Sequence, residues 1–282
     1  MARHIGKHIP GNPNVVPQNM TGAGGLRMVN YLTNVAPKDG TAIGMIANAF
    51  PAMQVVGISG VQFDASKMGW LGSIAPAVET MAVWHTAGVS TIQEAMQKEV
   101  VAGASGKGAI TYSFPAMLNE FLGTKFKIVT GYPGGNQINL AMECGEVQAR
   151  NNTWSSWKAT KPDWLKNNLI HVIAQAGPKA KELSAPSVED MARTPEERQL
   201  IELVVSGTQF GRPLATNAAP PERVAALRAA FDATMKDPAF LAEAKTMNFE
   251  VDPVRGETMQ KVVEKLLATP KAVAARAKEM ME

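Results

Sequence analysis

The chain has 282 residues, 28 of them basic and 25 acidic, and its net charge of +3 is too weak a bias to predict nucleic-acid binding. A hydrophobic content of 45% excludes disorder as the dominant state. A single cysteine, Cys144, excludes an intramolecular disulfide and a cysteine-rich zinc site. No run of about 18 apolar residues predicts a membrane-spanning helix. The opening residues do not read as a secretory leader.

Short apolar runs alternate with helical segments through the first third of the chain. The pattern predicts a helix over residues 25–35 and strands at residues 14–18, 41–46, 69–74 and 81–84. Thr91 is a predicted N-cap of a further helix, because Glu94 stands at the capping-box position three residues later.

The middle of the chain repeats this alternation, and the last third changes to helices. Strands are predicted at residues 100–104, 126–130 and 170–174, and helices around 113–122 and 137–144. The first of these helices is predicted to start with Ser113 as its cap, since Pro115 suits a first turn. Strands alternating with helices predict an α/β protein with largely parallel sheets. Blocks up to residue 97 and from 98 to 216 predict two lobes.

Three glycine-rich loops are candidate anion sites. Residues 21–25 precede a predicted helix, and residues 105–108 and 132–135 follow predicted strands. Backbone N–H groups at a helix start hold anions, and open α/β sheets bind ligands beyond the carboxyl ends of their strands. None of the loops matches a dinucleotide-binding or Walker A pattern. A simple turn remains the alternative reading of each loop.

Side chains outside these loops predict recognition of a ligand better than they predict catalysis. Residues 151–157 concentrate amide, hydroxyl and indole groups, which suit a small polar ligand, although such a segment equally caps and packs a helix. His4 and His8 stand four residues apart with no carboxylate near them in sequence, and His85 and His171 are isolated, so we predict no metal site. No Gly-x-Ser-x-Gly elbow is present, and the acidic neighbour of Cys144 argues against an activated thiolate. We therefore expect no catalytic residues.

Six segments, in this order, resemble the receptors of tripartite tricarboxylate transporters, also called Bug solute-binding proteins. The segments are VVPQNMTGAGG at 15–25, APKDGT at 36–41, GASGKG at 103–108, GYPGG at 131–135, ECGEV at 143–147 and APPERV at 219–224. The resemblance implies a periplasmic receptor with a two-lobe, type II periplasmic-binding-protein fold, a hinge and an interlobe cleft. It implies lobe 1 from residues 1–97 plus 217–282 and lobe 2 from 98–216. Such receptors need no cofactor and deliver a small organic carboxylate to a membrane permease.

The resemblance also implies a ligand site made of backbone N–H groups, hydroxyls and ordered water in loops that face the cleft. The residues that we predict to bind the ligand on this basis are Ser73, Ile74, Ala75, Ser105, Gly106, Lys107, Gly108, Tyr132, Pro133, Gly134, Gly135, Asn152 and Thr153. In this family a first strand and a Gly-Gly-x-x-Asp-type loop precede the first helix. Here residues 2–10 resemble the end of that helix, so we expect the site to be incomplete or to be completed by another segment.

Two other classes of function remain open. An enzyme would use the glycine-rich loops for a small anionic or phosphorylated substrate and would need an acid or base within reach of the cleft. An interaction protein would sense a ligand for a membrane signalling partner, or would be a product that binds nothing.

Overall fold

The computed structural model describes residues 1–281, whose strands form two sheets. Sheet 1 has the strand order β1-β8-β2-β9 and sheet 2 the order β5-β4-β6-β3-β7. The strands are β1 (Ile43–Met45), β2 (Gly69–Ser73), β3 (Glu79–Trp84), β4 (Val100–Gly103), β5 (Phe126–Val129), β6 (Ala149–Thr153), β7 (Ile170–Ala176), β8 (Pro213–Thr216) and β9 (Val254–Arg255).

Helices cover both sheets. They are α1 (Ala2–Ile5), α2 (Leu26–Asn34), α3 (Phe50–Val56), α4 (Ile92–Gln97), α5 (Ile110–Leu122), α6 (Gly135–Glu143), α7 (Trp154–Thr160), α8 (Pro162–Lys166), α9 (Pro195–Val205), α10 (Pro221–Thr234), α11 (Pro238–Thr246), α12 (Gly256–Leu267) and α13 (Lys271–Met281). Within residues 1–281, none of these helices has the length and apolar character needed to cross a membrane.

The α/β class and the two-lobe type II architecture are confirmed, but the expectation of largely parallel sheets is wrong. In sheet 1, β8 lies between β1 and β2 and pairs antiparallel with both. In sheet 2, β4 pairs parallel with β5 and β6, whereas β3 pairs antiparallel with β6 and β7. Strands β3 and β8 are the first strands after each passage between the lobes. Both are antiparallel to the strands on either side of them, so neither sheet is largely parallel.

Sheet membership differs from the predicted lobe boundaries. The chain passes between the sheets at residues 74–78 and again at 177–212, so β3 lies in sheet 2 and β8 in sheet 1. The two passages run side by side, because the Ala77 N–H donates to the Thr208 carbonyl at 2.8 Å. The last helix, α13, also departs from the prediction, since its buried Ala277 and Met281 pack in the core of the second lobe with Phe114 and Leu200.

The core of the first lobe forms on both faces of sheet 1. On one face, Val29 of α2 packs with Met259 and Val263 of α12. On the other face, an apolar stripe of α10 that includes Leu227 and Phe231 packs against Leu71 of β2 and Leu214 of β8. Gly72 makes this contact possible: its φ is +154°, and a Cβ at this position would overlap the Phe231 ring.

Several local predictions are decided by the structure. The capping box of α4 is confirmed, because Thr91 Oγ1 accepts from Glu94 N at 3.2 Å and the Glu94 carboxylate accepts from Thr91 N. The predicted start of α5 is wrong: the helix begins at Ile110, and Pro115 lies in its second turn, where only the bond to the Thr111 carbonyl is lost. The predicted strand at residues 14–18 does not form, since this segment lies exposed with no neighbouring strand.

Candidate functional site

A cleft of about 270 Å³ lies between the lobes, beside the two passages. The first lobe and the passages line it with Ala47, Asn48, Ala75, Pro76, Ala77, Gly211, Arg212, Phe249 and Glu250. The second lobe lines it with Glu79, Ile110, Thr111, Arg150, Asn151, Asn152, Thr153, Ser155 and Ser156. The cleft is therefore lined by both polar and apolar groups, and four of its residues are ionisable. No group of three or more His, Cys, Asp or Glu residues suited to a metal ion occurs in the part of the chain that the structure describes.

Arg212 presents a cation to the cleft. It immediately precedes β8, and its guanidinium lies over the Phe249 ring with 4.6 Å between Cζ and the ring centroid. Burial lowers the pKa of the guanidinium. Among residues 1–281, no side chain or carbonyl accepts a hydrogen bond from this guanidinium; the only Arg212 donor in use is its backbone N–H, which bonds Ser73 Oγ at 3.1 Å. A planar cation whose donors are unused matches the two oxygens of a carboxylate.

Arg150, in contrast, is held within the protein. Its side chain is buried, with Nη1 donating to the Gly135 carbonyl at 2.6 Å and to Asn139 Oδ1 at 2.8 Å. Its Nε donates to the Asn151 carbonyl at 3.0 Å. Burial lowers the pKa of Arg150 to about 10, and the attraction of Glu79 opposes this shift. Arg150 therefore joins the predicted loop 132–135 to the cleft wall.

Glu79 lies at the base of the cleft, at the start of β3. Its Oε1 accepts from Asn48 Nδ2 at 3.1 Å and its Oε2 accepts from Asn151 Nδ2 at 3.0 Å, so one carboxylate bonds both lobes. Burial raises the pKa of Glu79, while the two amides and the two arginines, Arg150 and Arg212, oppose this shift. The buried Oδ1 of Asn151 has no hydrogen-bond partner within the described residues.

The part of the second-lobe wall formed by residues 152–156 carries no charged side chain. Thr153 caps α7, since its Oγ1 accepts from Ser156 N at 3.2 Å. The Asn152 carbonyl accepts from Thr80 Oγ1 at 2.7 Å, and Thr80 Oγ1 accepts from Trp157 Nε1 at 3.1 Å. In residues 1–281 the side-chain amide of Asn152 forms no hydrogen bond, although it faces the cleft. The segment 151–157 thus caps and packs a helix and also faces the cleft.

Of the residues predicted to bind a ligand, Ala75, Asn152 and Thr153 line the cleft. Ser73 and Ile74 are buried beneath it, and Ser73 Oγ donates to the Phe210 carbonyl across the two passages.

The predicted loop 105–108, which includes Lys107, lies at one end of the cleft. The N–H of Ser105 donates at 3.1 Å to the hydroxyl of Thr111, which lines the cleft. Gly106 faces Gly24 of the first lobe, and Gly108 lies against Met53 of α3. This loop therefore meets the first lobe directly.

The predicted loop 132–135, which includes Pro133 and Gly134, lies behind Arg150. The Tyr132 hydroxyl donates to Glu146 Oε1 at 2.9 Å, and burial together with this carboxylate raises the pKa of Tyr132 to about 12. Tyr132 is thus engaged with the second lobe and does not line the cleft.

Sequence reasoning missed the charged and aromatic groups of the cleft. Arg150 immediately precedes the predicted segment 151–157, and its position beside those polar side chains is the one signal in the sequence that points to it. Arg212, Glu79, Asn48 and Phe249 stand in unremarkable local sequence. Only the passages between the lobes bring them together.

Comparisons with protein-family models and with curated proteins found no match. Solved structures match nearly the whole chain. The periplasmic binding protein BugD is 15% identical, with a TM-score of 0.74 over 99% of this chain and 90% of that chain. An R. palustris protein solved with adipate is 18% identical, with a TM-score of 0.70 over 98% of this chain and 90% of that chain. MatC from Rhodopseudomonas palustris, solved with bound malate, is 13% identical, with a TM-score of 0.70 over 100% of this chain and 93% of that chain. At these identities the likeness shows that the chain has the fold of these binding proteins.

Proposed function

We propose that the chain is a solute-binding receptor of the Bug type that captures a small organic carboxylate in the interlobe cleft. The observation that carries the proposal is Arg212, a half-buried cation that faces the cleft with no hydrogen-bond acceptor among residues 1–281. Leaving such a group without a counter-ion is costly, and a carboxylate supplies both the charge and the acceptors.

Capture would use both lobes. Arg212 holds the carboxylate from the side of the first lobe, while Thr153 and Asn152 reach the solute from the second lobe. Ile110 and Thr111 begin α5 at the edge of the cleft, and the first N–H groups of a helix have no partner within it. The loops 105–108 and 132–135 support this wall through Thr111 and Arg150. Closure around the solute then occurs at the passage 74–78 and at the end of the passage 177–212.

The cleft suits binding better than turnover. Its buried carboxylate, Glu79, accepts an amide hydrogen bond at each oxygen, and these bonds favour the charged form and weaken it as a proton acceptor. A receptor also needs no bond-making, whereas an enzyme must stabilise a transition state. NMR of the solute after prolonged incubation tests this point, and we expect it to be recovered unchanged.

The proposed place of the receptor is the periplasm, and its proposed partner is the permease of a tripartite tricarboxylate-type transporter. The ordered motifs that resemble these receptors support this assignment, and so does the fold shared with periplasmic binding proteins. Uptake of a radiolabelled solute into permease-containing vesicles tests it. Uptake that is unchanged by addition of the loaded receptor would contradict the partnership.

Isothermal titration calorimetry with a panel of mono- and dicarboxylates tests the proposal itself. Arg212→Gln removes the cation and keeps most of the side-chain length, so we expect it to abolish binding or weaken it about 100-fold, as for loss of a buried charge partner. The matched control is Arg198→Gln, which removes an exposed arginine of α9 outside the cleft. The proposal fails if the wild-type chain binds no carboxylate, or if both variants bind like the wild type.

A further inference from the structure

We infer that the cleft selects a monocarboxylate that carries a neutral hydrogen-bonding group, such as a hydroxyl, over the dicarboxylate of the same length. The inference deepens the proposed function and rests on it. It follows from two features of the cleft: the balance of positive and negative side chains that line it, and the absence of a charged side chain from residues 152–156.

The buried charges of the cleft leave one cation unbalanced. The ionisable groups that line it are Arg150, Arg212, Glu79 and, at its exposed rim, Glu250. Both oxygens of Glu79 accept hydrogen bonds from amide nitrogens, and this is the pattern of an ionised carboxylate. Two arginines against one buried carboxylate give a local charge of +1. Glu250 is exposed to water, so its charge is largely screened.

Arg150 and Arg212 do not share the task of meeting a ligand. The Arg150 Nε donates to the Asn151 carbonyl, and its Nη1 donates to the Gly135 carbonyl and to Asn139 Oδ1. Arg212 makes no such bond within the described residues, so its whole guanidinium is available to a ligand carboxylate, whereas Arg150 keeps only Nη2. One carboxylate placed there completes the balance, and a second carboxylate would be buried without a counter-ion.

Residues 152–156 of the second-lobe wall, across the cleft from Arg212, offer hydrogen bonds without charge. Asn152 presents a side-chain amide with no partner among residues 1–281, and Thr153, Ser155 and Ser156 add hydroxyl groups. An amide and hydroxyls donate to and accept from a ligand hydroxyl. They do not offset the free-energy cost of taking a second carboxylate out of water, whereas a cation does. The ligand therefore has its charge at the Arg212 end and a neutral polar group at the Asn152 end.

Matched pairs of ligands test this inference by calorimetry. Each pair differs only at one end, where an ω-hydroxyl replaces a carboxylate: 3-hydroxypropanoate with malonate, 4-hydroxybutyrate with succinate, and 6-hydroxyhexanoate with adipate. In the pair that fits the cleft, we expect the wild-type chain to bind the hydroxy acid at least about tenfold more tightly. Tighter binding of the dicarboxylate in every pair that binds overturns the inference and leaves the proposed function standing. Failure of all six ligands to bind overturns both.

Two substitutions add positive charge at chosen points, and both are predicted to shift the preference away from that of the wild-type chain. Asn152→Lys places a second cation opposite Arg212, so we expect the preference to shift about tenfold or more toward the dicarboxylate. Asn14→Lys adds the same charge at an exposed position outside the cleft and should leave the preference unchanged. Glu79→Gln raises the buried charge by one unit and should shift the preference in the same direction as Asn152→Lys. Glu79→Asp keeps the charge and should keep the wild-type preference. If Asn152→Lys leaves the wild-type preference in place, the inference is wrong even if Glu79→Gln fails to fold.

Discussion

Replacing Ser73 by alanine tests whether this hydroxyl belongs to the ligand site, as the sequence predicts, or to the hinge. The buried hydroxyl donates to the Phe210 carbonyl and accepts from the Arg212 N–H at 3.1 Å, so it joins the two passages just behind the cleft. Alanine leaves one buried acceptor and one partly buried donor without partners. A buried unsatisfied group costs about 1–3 kcal/mol, so we expect the free energy of unfolding to fall by about 2–4 kcal/mol.

Urea unfolding followed by circular dichroism measures this loss. The control is Ser59→Ala, which removes an exposed serine hydroxyl and should change the free energy of unfolding by no more than about 0.5 kcal/mol. Calorimetry on Ser73→Ala then separates the two roles, because a hinge residue affects binding only through the position of Arg212. If Ser73→Ala is as stable as Ser59→Ala and yet loses carboxylate binding, the hydroxyl contacts the ligand and the hinge interpretation is refuted.

Three further predictions concern the fold around the site. Burial raises the pKa of Glu79 above its ordinary value of 4.5. The stability contributed by its neutral form is therefore complete below about pH 4.5 and is lost as the pH rises through the raised pKa. Thermal melts across pH should show the melting temperature fall over this range, and Glu79→Gln should flatten that fall. Phe231→Ala should cost about 3–5 kcal/mol and Gly72→Ala about 1–3 kcal/mol of unfolding free energy, yet together less than their sum, since the smaller side chain vacates the space that a Cβ at position 72 needs; strictly additive urea midpoints would contradict this. Thr91→Ala should cost about 1 kcal/mol through loss of the α4 cap, whereas Thr91→Ser should recover most of it in the same assay.

Local sequence predicted the elements whose stability comes from local pattern. The apolar run at residues 100–104 and the stripe that contains Leu227 and Phe231 both pack as their periodicity indicates. Strand β8 escaped prediction because its four residues begin with Pro213 and carry no alternation of their own. Its identity as a strand comes from β1 and β2, which are more than a hundred residues away in sequence.

The candidate site divides in the same way. The segment that contains Asn152 and Thr153 was recognisable because its polar side chains are adjacent in sequence. The relation of Arg212 to Phe249 and Glu79 was not, since it depends on how the two passages align the lobes. A charged residue becomes a binding residue when it is partly buried and has no partner within the protein. Neither property can be predicted from the residues next to it in sequence.

The position of β8 between β1 and β2 also sets the order in which the two sheets can form during synthesis on the ribosome. All strands of sheet 2 come from residues 79–176, one continuous stretch, whereas sheet 1 closes only when residues 213–216 pair with Ile43–Met45 and with β2. Contacts across such sequence distances form late, because a long loop must close before they stabilise anything. A nascent chain therefore has every strand of sheet 2, though not yet α13, while β1 and β2 still lack the strand that pairs between them. During this interval the open strand edges are the part of the chain most in need of protection from aggregation.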